Sequence, residues 1–302
     1  MANITEHRKI PLVGYQLMIV LATIIWGLSF VVMKNTVEVI PPALLIGVRF
    51  LCAGVLLGVV FAKRVRATFC RDMVVRGAIL GTFLFLAYWF QTIGVANTTP
   101  GKNAFLTAVY VVIVPFGWWL VARRQPGIHN IVAAVLCIAG IGFVSLDSDL
   151  SASYGDAMTL VGAFWFAVHI IFVAKFSEGR DMVVLTVYQF LAMGVWGMII
   201  GLATEQMPVL SAMSFDFIWN MVYLVVFASC AALLFQNVAQ AHVPPSQASL
   251  LLSLEAVFGV LFSVLIYGEQ ISIRLIVGFA LVFVAIVVSE VFPDKKQSLQ
   301  EK

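Results

Sequence analysis

Two stretches of this 302-residue chain, Phe90–Val132 and Phe235–Val277, align without a gap at an offset of 145. Phe90, Gln91, Ala96, Pro100, Leu106, Val112, Leu120, Gln125, Ile128, Ile131 and Val132 recur as Phe235, Gln236, Ala241, Pro245, Leu251, Val257, Leu265, Gln270, Ile273, Ile276 and Val277. Polar and turn residues recur in place, which apolar composition alone does not produce. The chain is read as one unit copied and fused. Among membrane proteins, such duplication is an architecture of transporters.

Both copies are apolar. The chain is 62% hydrophobic and 11% charged, where a soluble domain carries about 25% charged residues. Apolar runs near 20 residues recur along the whole length. Each is long enough to cross a hydrocarbon core of about 30 Å as a helix. In lipid a backbone must satisfy its own hydrogen bonds, so these runs mean helices and not open sheet. The four cysteines, Cys52, Cys70, Cys137 and Cys230, show no C-x-x-C spacing. The four histidines, His7, His129, His169 and His242, are scattered. No metal site, disulfide framework, cofactor or nucleic-acid partner is expected. The first apolar run follows a basic stretch, His7 to Lys9, yet it is too long for a signal-peptide core and is read as a retained helix.

Ten crossings are expected, at 14–33, 42–62, 77–97, 102–122, 128–146, 156–175, 182–203, 217–238, 247–267 and 273–292. With the N-terminus cytoplasmic, 14 of the 18 Lys and Arg fall on the inside, Lys63 to Arg76 foremost. That satisfies the positive-inside rule and also places the C-terminus in the cytoplasm. Each half then has an odd number of crossings, so the second half enters from the opposite face. The expected fold is an all-α polytopic membrane protein: ten transmembrane helices, as two inverted five-helix repeats around a central cavity. The halves are 1–150 and 151–302, divided in the acidic, Ser-rich loop Asp147 to Gly155. Their first two helices match more weakly: VRFLCAG (Val48–Gly54) pairs with YQFLAMG (Tyr188–Gly194), and Trp26 is placed opposite Trp165.

Five segments carry a family resemblance: WGLSFVVMK (Trp26–Lys34), PPALLIGVRF (Pro41–Phe50), FQTIGVANTTPGKNAFLTAVYVVIVP (Phe90–Pro115), GDAMTLVGAFWFAVH (Gly155–His169) and SLEAVFGVLFSVLIYGEQIS (Ser253–Ser272). Together, in this order, the chain resembles the EamA-type permeases of the drug/metabolite transporter superfamily. The resemblance implies the ten-helix inverted repeat, a central cavity and transport of small metabolites, often export of amino acids or related compounds. The family carries Pro after the glutamate of the ninth helix; Ala256 stands there in this chain.

The candidate substrate-binding residues are Glu255, Tyr110, Arg49, His169, Trp26, Trp165, Gln91 and Gln236. Glu255 is a carboxylate deep in an apolar run, roughly 12 Å into the ninth helix at 1.5 Å per residue. It would contact a substrate amine or carry a proton; its bland reading is a neutral acid bonded to a neighbouring helix. Tyr110 is its repeat equivalent and offers a hydroxyl and a ring face. Gln91 and Gln236 are the repeated amide pair, with interhelical bonding as their plain role. Arg49 could hold a carboxylate bidentately or snorkel outward. His169 and Trp165 could line the cavity or simply pack. Trp26, with Phe30 and Trp89, would form an aromatic wall. Lys102 and Asn103 are read as helix capping and interface anchoring, Glu269 as a partner of Arg274, and Pro115 as a kink.

The expected function is secondary transport of a small zwitterionic or aromatic metabolite across the cytoplasmic (inner) membrane by alternating access, with the bilayer and the substrate as partners. Proton coupling through Glu255 and uniport both fit. No phosphate loop is present, which argues against direct use of ATP. A channel-like or lipid-translocating protein is the alternative. An intramembrane enzyme is remote: GLSF (Gly27–Phe30) lacks the second glycine of a rhomboid-type site, and YGD (Tyr154–Asp156) has no second intramembrane Asp for a dyad.

Overall fold

Backbone groups in hydrocarbon have only the chain itself to bond to, and the apolar runs accordingly fold as helices. The structure is a computed structural model that describes residues 11–123, 125–145, 153–209, 213–243, 248 and 251–291. The helices are α1 (Leu12–Val37), α2 (Pro42–Val60), the short α3 (Ala62–Ala67), α4 (Arg71–Asn97), α5 (Pro100–Thr107), α6 (Tyr110–Ala122), α7 (Ile128–Ser145), α8 (Tyr154–Ser177), α9 (Met182–Thr204), α10 (Phe215–Val222), α11 (Ala232–Gln240), α12 (Leu254–Phe262) and α13 (Ile273–Val291). A π-helical stretch, Tyr223–Ala231, joins α10 to α11, and another, Ser263–Tyr267, extends α12. Among the described residues, seven helical segments are long and apolar enough to cross a membrane. Ile128–Val144, Leu254–Tyr267 and Ile273–Val288 are apolar and shorter. The protein is thus an all-helical, multi-pass membrane protein. Residues 147–152 of the expected linker, and Pro245, lie outside the described residues.

Helix interruptions fall where the sequence does not announce them. Pro115, where a kink is expected, sits inside α6. A further discontinuity lies earlier, at Ala108–Val109. There Val109, Val111 and Val112 N–H groups bond the carbonyls of Leu106, Ala108 and Val109, the tight i→i+3 pattern of a 3₁₀ turn. A matching break stands 145 residues on, at Ser253, whose carbonyl accepts from Ala256 N–H.

Pairs of helices build the bundle: α2 on α9, α4 on α8 and α9, α7 on α13, and α1 on α11 and α12. Glycines set the closest approaches. A Cβ added to Gly47 of α2 would lie 2.7 Å from Met198 N, and one on Gly194 of α9 would lie 2.6 Å from Leu51 N. Small residues let backbones touch, which replaces the hydrophobic drive that lipid cannot supply between helices.

Polar ties close both ends. At one end the Glu205 carboxylate accepts from Ala43 and Leu44 N–H at 2.8 and 2.9 Å, capping α2. Lys34 donates to the last carbonyls of α4, Val95, Ala96 and Thr98, at 2.9–3.0 Å. Both placements put charge where the helix dipole favours it. Asp156 pairs with Lys102 at 2.7 Å and accepts from Thr98. Glu269 was expected to pair with Arg274; instead it accepts from Gly101 N–H at 2.9 Å and bonds Thr99 and Ser263, crowning the start of α5. Arg274 Nε donates to the Phe143 carbonyl at 3.1 Å. At the other end Asp181 binds Arg64, and Asp72 binds Arg180 and Arg76 at 2.9 and 2.6 Å.

The glycine contact yields a prediction. Gly47→Val should destabilise the purified protein by about 1–3 kcal/mol. Gly58→Ala, whose Cβ would meet only Val187 at 3.6 Å, should leave it unchanged. Thermal unfolding in detergent micelles checks both.

Candidate functional site

Six helices converge on a buried cavity. It is lined by Trp26, Ser29 and Phe30 of α1, Tyr88 and Gln91 of α4, Tyr110 of α6, Phe166 and Ile170 of α8, Leu233 and Gln236 of α11, and Glu255 of α12. The cavity holds about 30 Å³, room for about one water. Its lining follows the spacing seen in the sequence. Tyr88 and Leu233, Gln91 and Gln236, and Tyr110 and Glu255 stand 145 residues apart; Trp26 and Phe166, and Phe30 and Ile170, stand 140 apart.

The helix breaks aim the polar groups. Tyr110 is the first residue of α6, and Glu255 the second of α12. Each helix therefore begins beside the cavity. The dipole of the α12 start favours negative charge where Glu255 sits. The Tyr110 hydroxyl and the Glu255 carboxyl are hydrogen-bonded to each other. Glu255 Oε1 has no protein partner, although the residue is only 5% exposed. Gln91 Nε2 donates to Thr107 Oγ1 at 3.0 Å, which ties α4 to α5. Trp26 Nε1 donates to the Ala228 carbonyl at 2.9 Å, inside the π-helical stretch. Widening a helix to π geometry loosens the i→i−4 ladder, and π segments recur at functional sites for that reason. Tyr88 and Tyr110 flank Phe166, with ring centroids 5.2 and 6.1 Å away.

Three expected site residues do not line this cavity. Arg49 is fully buried one layer behind it. Its Nε donates to Ser229 Oγ at 2.7 Å, and its guanidinium lies over the Phe50 and Tyr88 rings. His169 Nε2 lies 3.2 Å from Gln189 Oε1, in a separate buried polar contact between α8 and α9. Trp165 turns away and stacks on Phe83 at 6.0 Å. The equivalence of Trp26 with Trp165 was one residue off: Phe166 occupies the matching place. A single-residue shift rotates a helix position by about 100°, which moved the tryptophan off the cavity face. Asn103, read as a cap, is wholly buried and bonds the Gln91 carbonyl and Thr159; Thr99 is the cap of α5.

The sequence matches the profile of the EamA-like transporter family twice, over residues 14–146 and 153–290. The chain belongs to this family. An uncharacterized transporter of Archaeoglobus fulgidus is 27% identical over 272 residues, 89% of this chain and 83% of the relative. The uncharacterized transporter YoaV of Bacillus subtilis is 22% identical, over 90% of this chain and 94% of its own. YedA, an uncharacterized inner membrane transporter of Escherichia coli, is 27% identical, over 82% of this chain and 81% of its own. A solved crystal structure superposes with a TM-score of 0.69 at 14% identity, covering 92% of this chain and 97% of that one, and shares the fold.

Several lining residues of this EamA-like transporter escaped the reading of motifs. Tyr88 precedes Gln91 by one helical turn and therefore shares its face; that spacing was the available signal. Ser29, Ile170 and Leu233 carry no signal of their own, being ordinary residues in apolar helices. Trp89, expected in the aromatic wall, stacks instead on Phe85 at 5.6 Å.

The Tyr110–Glu255 bond predicts coupled mutations. Tyr110→Phe should cost about 1–3 kcal/mol, because it strips a buried carboxyl of its partner. In a Glu255→Leu background the same change should cost far less. A double-mutant cycle on unfolding in micelles measures the coupling, expected at about 0.5–3 kcal/mol.

Proposed function

We propose that this protein is a secondary transporter of the inner membrane that moves a small zwitterionic or aromatic metabolite outward by alternating access, around the cavity between Tyr110 and Glu255. On this reading ten crossings form two inverted five-helix units, 1–150 and 151–302, with both termini cytoplasmic. The supporting observation is the lining itself: ten of its eleven residues form five pairs at the repeat offsets. A two-fold axis through the cavity would relate the members of each pair. Exchange of conformation between the two units would then open the cavity to each face in turn.

Glu255 is the proposed contact for the amine of the cargo, and Tyr110, Gln91 and Gln236 supply neutral hydrogen bonds. Trp26, Phe30, Tyr88 and Phe166 supply ring faces for an apolar or cationic group. A 30 Å³ cavity is smaller than any metabolite, so the conformation described here is the closed one. Loading requires the polar ties at one end to part.

Two outcomes check this reading. In proteoliposomes Glu255→Gln should lower uptake of any accepted metabolite at least about tenfold, the effect of losing one charge-assisted bond. A Gln variant with unchanged rate and pH dependence removes Glu255 from the mechanism. For topology, Glu38 and Glu178 are exposed and 140 residues apart. In an otherwise cysteine-free chain, an impermeant thiol reagent outside intact cells should label Glu38→Cys and spare Glu178→Cys. Labelling of both from one side contradicts the inversion.

A further inference from the structure

Arg49 is a buried cation without a counter-ion among the described residues. It is 1% exposed, about 10 Å into α2 from the Pro42 end at 1.5 Å per residue. None of the ion pairs among the described residues involves it. A guanidinium keeps its proton in proteins, so it cannot escape burial by becoming neutral. Its surroundings offer a hydroxyl at Ser229, a thioether at Met33 (3.8 Å) and two ring faces. Nη2 has no hydrogen-bond partner among the described residues. Tyr223 and Cys230, the other titratable groups facing it with Tyr88, are neutral donors or weak acceptors. Tyr223 already donates to the Ile25 carbonyl, and Cys230 to the Ala53 carbonyl.

Tyr88 stands between this cation and the cavity. The Arg49 guanidinium lies over its ring, 5.1 Å from the centroid, and Tyr88 also lines the cavity with Glu255. Nη2 is thus a charged donor left unpartnered behind the cavity wall, with the Tyr88 ring over the guanidinium.

We propose that Arg49, Tyr88 and Ser229 form an anion-binding station that takes a small monovalent anion, either a carboxylate or a halide. The station rests on the geometry of Arg49 and stands whether or not the transport reading does. If the anion is the carboxylate of the cargo, a zwitterion would span from Arg49 to Glu255 once the cavity widens.

The full-length chain in micelles is heated in sodium chloride, in sodium acetate and in sodium isethionate, whose bulk the packed surroundings exclude, at fixed pH and ionic strength. The midpoint should rise by about 5 °C when saturating chloride or acetate replaces isethionate, and that of Arg49→Met should not move. A rise with acetate alone assigns the station to carboxylates; a rise with chloride extends it to halides. Absence of any rise in the unmodified chain overturns the proposal, as does an equal rise in Arg49→Met. Should Arg49→Met fail to fold, Arg49→Lys decides. Loss of the planar fork should raise the half-saturating anion concentration about tenfold, and an unchanged concentration overturns the station.

Discussion

Hydrocarbon leaves a broken helix nowhere to send its free backbone groups except inward. Three interruptions in this bundle face that constraint, and the cavity is built from how they meet it. The turn at Ala108–Val109 starts α6 at Tyr110. The turn at Ser253 starts α12 one residue before Glu255. The π-helical stretch Tyr223–Ala231 turns the Ala228 carbonyl to Trp26 and the Ser229 hydroxyl to Arg49. Without these interruptions the interior would be helix packed on helix, with its backbone groups spent along the axes.

The polar groups so placed are electrostatically lopsided. Glu255 is stabilised by a neutral phenol and the start of a helix; Arg49 rests on ring faces and one hydroxyl. Tyr88 faces both groups, and among the described residues no ion pair involves Arg49. In a low dielectric the guanidinium therefore exerts its field on whatever enters and cannot relax by swinging into water. That is an expensive arrangement for stability alone, because a buried ion loses several kcal/mol of hydration. It suits a site that meets a charged guest. The ties of Asp72 and Arg180 at one end use half-exposed groups that water can replace, so they can part at little cost; at the other end Asp156 is wholly buried under Lys102 and Thr98.

Much of this was legible before any coordinates. Glu255, Tyr110, Gln91, Gln236 and Trp26 were singled out by burial in apolar runs and by recurrence, and all five line the cavity. Recurrence worked because a repeated polar residue has no reason to persist in lipid unless the protein interior holds it. His169 and Arg49 were singled out by residue type, and Trp165 by its match to Trp26. Type alone does not say which face of a helix a side chain occupies, and an error of one residue in matching α1 to α8 sent Trp165 to the wrong face. The turn at Ala108–Val109 carried no such mark: proline announces a missing N–H at Pro115, whereas this break is a 3₁₀ turn formed among valines.

The sequence by itself determined that the chain is helical, crosses the membrane many times and carries one unit twice. Those facts follow from apolar run length and from recurrence, which are properties of the chain alone. Only the tertiary structure decided which side of each helix meets the cavity, that Glu269 crowns α5, and that Arg49 lies behind Tyr88 with no acid beside it. These depend on rotation and approach between helices, set by glycine contacts such as Gly47 on Met198, and a linear pattern does not encode the distance between two helices.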